Sequence, residues 1–172
     1  LRIPRPDVSA KLGTPNACNA CHAKKTPQWA AAAIAGWTGK PPTGYQNFAA
    51  ALRAGTLGAP GARGALMALV DDPAQPAIVR ASAIARLGPL LTPSSLGPVT
   101  RALNDADPLV RLAAVDALCE TDPGVRLRYL PRMLADPVRS VRIEGARALA
   151  GRPEADLPAA EREAFAVAHG HP

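Results

Sequence analysis

Cysteine is scarce in this 172-residue chain, which holds only Cys18, Cys21 and Cys119. Histidine is as rare, limited to His22, His169 and His171. A structural zinc site needs four ligands, usually two cysteine pairs or cysteines with spaced histidines, and the spacing here does not supply them. Aromatic residues make up 3% of the chain, so any core is built from Ala, Leu, Val and Ile. The same shortage argues against nucleic-acid binding, because few rings are present to stack on bases. No run approaches 18 apolar residues, so no transmembrane segment is expected. The opening residues also lack the basic and apolar leader of a signal peptide. No alternating strand pattern surrounds the first two cysteines, which removes the βαβ setting of a thioredoxin-type dithiol.

What the chain does have is Cys18-Asn19-Ala20-Cys21-His22. Two thiols three apart with an adjacent histidine form the attachment signature of a covalent c-type haem. Thr14-Pro15 reads as a helix N-cap followed by a first-turn proline, which predicts that Cys18, Cys21 and His22 share a short helix. On one helical face, both sulfurs can reach the vinyl groups of a single porphyrin while His22 offers its imidazole to the iron. One covalent haem c is therefore expected, with His22 as axial ligand. The candidates for a sixth ligand within the chain are His169 or His171, with Met67 and Met133 as thioether alternatives. Both methionines sit in apolar helical stripes and read as core, and a histidine from outside the chain is a further option.

Negative charge is nearly missing from the first third. Residues 1–60 carry seven basic side chains against Asp7 alone, whereas residues 61–172 are balanced at thirteen of each sign. The formal excess of +6 thus lies in the segment with the cysteines. Arg2, Arg5 and Lys11 are candidate contacts for haem propionates, and the basic surface suits an acidic protein partner. A solvated basic face is the plainer alternative.

A periodic organisation begins near residue 61. Val79-Arg80-Ala81-Ser82-Ala83-Ile84-Ala85-Arg86-Leu87 recurs as Val110 to Leu118 and Val141 to Leu149, at intervals of 31 residues. Each block places Val, a small residue (Ala83, Ala114, Gly145) and Leu on one helical stripe. An apolar segment precedes each block, at Ala65 to Val70, Leu96 to Leu103 and Leu127 to Leu134. Asp72-Pro73, Asp107-Pro108 and Asp136-Pro137 stand between the partners, where a carboxylate can cap orphan amides. Paired helices at a fixed period mark an α-solenoid. The blocks resemble HEAT repeats over residues 61–152. That resemblance implies a ladder in which Arg80, Arg111 and Arg142 pair with aspartates of adjacent units, with Asp72, Asp107 and Asp136 as the expected partners. Cys119, closing the second block, reads as a buried hydrophobe.

Between these regions, Thr26-Pro27-Gln28-Trp29 reads as the start of a helix that ends at Gly36 or Gly39. Trp29 and Trp37, eight apart, either wall a haem pocket or anchor that helix to the solenoid. A further helix is expected over Tyr45 to Ala54. Arg2-Ile3-Pro4-Arg5-Pro6-Asp7, Leu12-Gly13-Thr14-Pro15 with the haem motif, and Thr26-Pro27-Gln28-Trp29-Ala30 together resemble the last haem segment of bacterial multihaem c-type cytochromes that continue into HEAT repeats. That resemblance implies further haem motifs upstream in a longer chain, other c-type cytochromes or redox subunits as partners, and a periplasmic or otherwise extracytoplasmic location.

The expected architecture is all-α. A haem c-binding helical segment (1–60) precedes about three HEAT-like helix pairs (61–152), then a C-terminal helix and tail (153–172). The expected function is electron transfer rather than catalysis. Alternatives are an extracytoplasmic scaffold with a structural haem, or a haem enzyme or gas sensor with an open coordination site.

Overall fold

The computed structural model describes residues 4–40, 47–151 and 156–168, with side chains for all of these but 161, 164 and 168. Among the described residues there is no strand, and the fold is all-α. The described residues form eleven α-helices: α1 (Pro6–Leu12), α2 (Cys18–Cys21), α3 (Pro27–Thr38), α4 (Ala49–Leu57), α5 (Ala62–Asp71), α6 (Ala77–Leu87), α7 (Leu96–Ala102), α8 (Pro108–Cys119), α9 (Pro123–Tyr129), α10 (Arg139–Leu149) and α11 (Ala159–Ala168). Packing divides the chain into two compact units, residues 1–53 and 54–172.

The first unit is thinly cored. Helix α3 starts where Thr26 Oγ1 accepts the Trp29 amide at 3.1 Å, and it ends at Gly39, whose φ of 68° lies in the left-handed region. Its interior is nearly all apolar, yet only Ala30 and Ile34 are buried along it. With Pro6 of α1, these are the only buried residues described in residues 1–53. Trp37 is 79% exposed and Trp29 37% exposed, so neither tryptophan is core. A unit this small ordinarily needs a staple or a bound group to make up for missing buried area.

In the second unit, the 31-residue pattern becomes paired helices: α5 packs on α6, α7 on α8, and α9 with the 3₁₀ segment Pro131–Ala135 on α10. The third pair is interrupted because Pro131 has no amide to continue the α-helical ladder. The recurring stripe forms the core. Ala83, Val110, Ala114, Val141, Leu87, Leu118 and Leu149 have essentially no exposed surface, and Val79 and Gly145 are buried. Each fully buried Val or Leu contributes about 1.5–3 kcal/mol, an upper estimate since the unfolded chain already buries some surface. Small residues let the helices close up. A Cβ built on Gly145 would stand 3.1 Å from Met133 Cβ, a tight contact against a buried residue that a side chain at 145 would have to push back. At the start of the unit, a Cβ on Gly55 would come within 2.8 Å of Leu66 Cδ1, so this glycine allows the end of α4 to lie close to α5.

Arginines join neighbouring repeats. Arg111 Nε and Nη2 hold the two oxygens of the buried Asp136 carboxylate at 2.7 and 2.9 Å, twenty-five residues on. Arg80 holds Asp105 at the same spacing. Asp105 therefore takes the place that the sequence suggests for Asp107. Asp107 is instead the N-cap of α8, accepting the Leu109 amide at 2.9 Å. Asp72 accepts from the Ala74 amide and the Gln75 side chain and pairs with no arginine among the described residues, because no Val-Arg block precedes it and the position twenty-five residues before it is Asn47. The Arg111 hydrogen bonds hold the Asp136 carboxyl below the usual carboxylate range against the opposing effect of burial. For Asp105, burial pushes upward, but the bonds from Arg80 and the Asp107 amide still leave the carboxyl low. Exposed pairs run the other way, with the aspartate one repeat before the arginine: Arg101 meets Asp71 at 2.8 Å and Arg147 meets Asp116 at 3.4 Å.

Candidate haem-attachment turn

Cys18, Cys21 and His22 all fall on or beside α2, but the helix is shorter than the sequence suggests. It begins after Ala17, with no side-chain cap, and spans a single turn. Thr14 does not cap it, because it lies three residues before the N-cap Ala17; its amide instead closes α1 by donating to the Ser9 carbonyl at 3.0 Å. Gly13, at φ 64°, makes that turn possible. Two asparagines hold the turn instead. Asn16 Oδ1 accepts the Asn19 amide at 3.3 Å, and Asn16 Nδ2 donates to Asn19 Oδ1 at 2.7 Å. Asn19 Nδ2 then donates to the Lys25 carbonyl at 2.6 Å and to the His22 carbonyl at 3.3 Å. The i to i+3 spacing of Asn16 and Asn19 was visible in the sequence, but side-chain amides next to a motif carry no signal of their own.

His22 terminates α2, with its amide donating to the Cys18 carbonyl at 2.9 Å. Its ring lies 5.0 Å from the Trp29 ring, tilted by 54°. Lys25 Nζ sits 5.7 Å from the same indole, within cation–π range. Trp29 thus positions the imidazole from the first turn of α3. No hydrogen bond engages the His22 ring among the described residues. Cys18 is half-buried, Cys21 is exposed, and both are free thiols.

These features fit a covalently held haem. Two unbridged sulfurs and an unbonded imidazole share one exposed turn, beside exposed indole surface in a unit short of core. Among the described residues, no group of three or more His, Cys, Asp or Glu side chains is arranged to hold a metal ion.

The remaining residues suggested by sequence lie elsewhere or outside view. Arg5 is paired with Asp7 through Nε at 2.9 Å and Nη2 at 2.8 Å, so its charge is locally balanced. That pair raises the guanidinium's affinity for its proton and lowers the Asp7 carboxyl. Lys11 is exposed in the last turn of α1. Arg2, His169 and His171 lie outside the described residues. Met133 is buried and Met67 half-buried in the second unit. Cys119 is buried there, and burial pushes its thiol upward.

Among known families, residues 74–150 match HEAT repeats. No curated protein and no solved structure matches the chain. The match covers α6 to α10, so the helix pairs there are of HEAT type. Repeats of this kind often mediate protein–protein contacts.

Proposed function

We propose that the chain is an electron-transfer protein, or a subunit of one, carrying a single covalent haem c on Cys18, Cys21 and His22. The observation that supports this most directly is the turn itself, which holds two free thiols and an unbonded imidazole together at the surface. When bound, haem supplies a one-electron iron couple. The chain's own residues do the rest. Cys18 and Cys21 tether the macrocycle, Asn16 and Asn19 fix the turn, and Trp29 sets the angle of His22. Lys25, next to that indole, places positive charge near the site and favours the reduced state. The HEAT-type repeats serve as the docking surface for redox partners, in an extracytoplasmic compartment where haem c is assembled.

The test is the mass of the intact, denatured chain after periplasmic expression with the haem c maturation system. One haem adduct is expected, lost in the Cys18→Ala/Cys21→Ala variant. An unmodified wild-type chain, in a host that loads a control cytochrome, refutes the proposal. Carbon monoxide added to the reduced protein then separates a carrier from an enzyme or sensor: a two-ligand carrier leaves the spectrum unchanged.

A further inference from the structure

The arginine ladder in the second unit has one member without its aspartate. Arg111 makes two kinds of contact. Nη1 reaches back to the Asp105 and Ala106 carbonyls at 2.8 and 3.1 Å, while Nε and Nη2 grip the next repeat's carboxylate. Arg142 repeats the first kind, with Nη1 on the Asp136 and Pro137 carbonyls at 2.8 and 3.2 Å. The second kind is missing: Nε and Nη2 of Arg142 hold no partner among the described residues. Twenty-five residues on, where Arg80 and Arg111 find Asp105 and Asp136, stands Val167, which cannot accept a hydrogen bond.

Arg142 and Val167 line the same groove, about 490 Å³ between α10 and α11. Leu134, Ile143 and Ala160 give it apolar walls, and among the described lining residues Arg139 adds a second cation against Glu163. Ile143 is 54% exposed and Val167 73% exposed, so an apolar surface is open beside a half-buried, pre-oriented guanidinium. A guanidinium fixed through one edge presents its other two donors as a fork suited to a carboxylate.

We propose that this groove docks an acidic segment of a partner protein. An aspartate of that segment takes the bidentate place on Arg142, and the apolar residues flanking it lie against Ile143 and Val167. Charge complementarity favours this occupant, since the described lining has two arginines and one acid. The ladder supplies the template, because Arg111 already holds Asp136 in the setting Leu134-Ala135-Asp136-Pro137-Val138. The proposal does not rest on the haem assignment.

The test uses the full-length ¹⁵N-labelled chain and a peptide copying residues 134–138, acetyl-Leu-Ala-Asp-Pro-Val-amide. Titration should move the Arg142 Nε–Hε resonance in a saturable manner. The peptide with Asn for Asp should bind at least tenfold more weakly, because the charge and one acceptor are lost. Arg142→Lys, which keeps the charge but not the fork, should weaken the Asp peptide by a similar factor, with the thermal melt confirming that it folds. Ile143→Ser, on an exposed wall residue, should weaken it more modestly without touching the arginine. Equal binding of the Asp and Asn peptides, or an Arg142 resonance unmoved at saturation, overturns the proposal, whichever variants fold.

Discussion

Replacing Asp136 by Asn tests whether the ladder holds the repeats together. Asp136 is 6% exposed, and its carboxylate accepts both Arg111 donors as well as the Val138 amide at 2.8 Å. The amide side chain keeps the shape but leaves the Arg111 guanidinium, itself largely buried, without a counter-charge. Breaking a buried pair from one side costs about 3–5 kcal/mol. For a unit of this size, each kcal/mol moves the melting temperature by about 4 °C, so Asp136→Asn should lower it by roughly 12–20 °C. Arg101→Ala is the reference, because the Arg101–Asp71 pair is exposed on both sides and should be worth less than about 1 kcal/mol. Calorimetry of both variants, with the Arg111→Met/Asp136→Leu double variant, measures the difference. The double variant should recover most of the loss, since no unpaired charge remains. If Asp136→Asn melts within about 3 °C of Arg101→Ala, the ladder does not carry stability and the reasoning fails.

The same pairs make stability depend on acid. Asp136 and Asp105 are held low in the folded chain, so their contribution is complete above the ordinary carboxylate range, near pH 4. It is lost as pH falls through their depressed values. Melting temperature followed downward from pH 6 should therefore drop steeply below about pH 4, and Arg111→Met should flatten that drop; an unchanged slope refutes the assignment. Crowding gives a further expectation: Gly145→Val should destabilise by about 1–3 kcal/mol in a urea melt, because its side chain meets Met133. A neutral result would mean that α10 can shift away from the 3₁₀ segment.

The repeat stripe was legible because it rests on periodicity: Val, a small residue and Leu at fixed helical spacing can only be a buried seam. The helix starts at Thr26 and Asp107 were legible for a similar reason, as a capping side chain followed by proline is a local rule. Thr14-Pro15 obeys the same rule and did not become a cap, since Thr14 belongs to the turn that closes α1 and the next helix starts only at Cys18. Local signals cannot show which of two neighbouring elements takes a shared residue. The ladder was half legible for a related reason. The arginines mark themselves by repetition, but Asp105 and Asp107 lie two apart, and only the fold shows which one faces Arg80. Asn16 and Asn19 were silent because they bond each other and nearby backbone atoms, contacts that leave no pattern in sequence.

The Asp136 peptide unit has a consequence beyond the joint it closes. Its carboxylate receives Arg111, and its carbonyl receives Arg142. Arg111 in turn reaches the carbonyl of Asp105, whose carboxylate receives Arg80. Five residues from three successive helix pairs thus form one unbroken series of donors and acceptors. Hydrogen bonds in series polarise one another. An anion arriving at Arg142 would therefore act first on the residue that also closes the Arg111 joint, without any helix having to move.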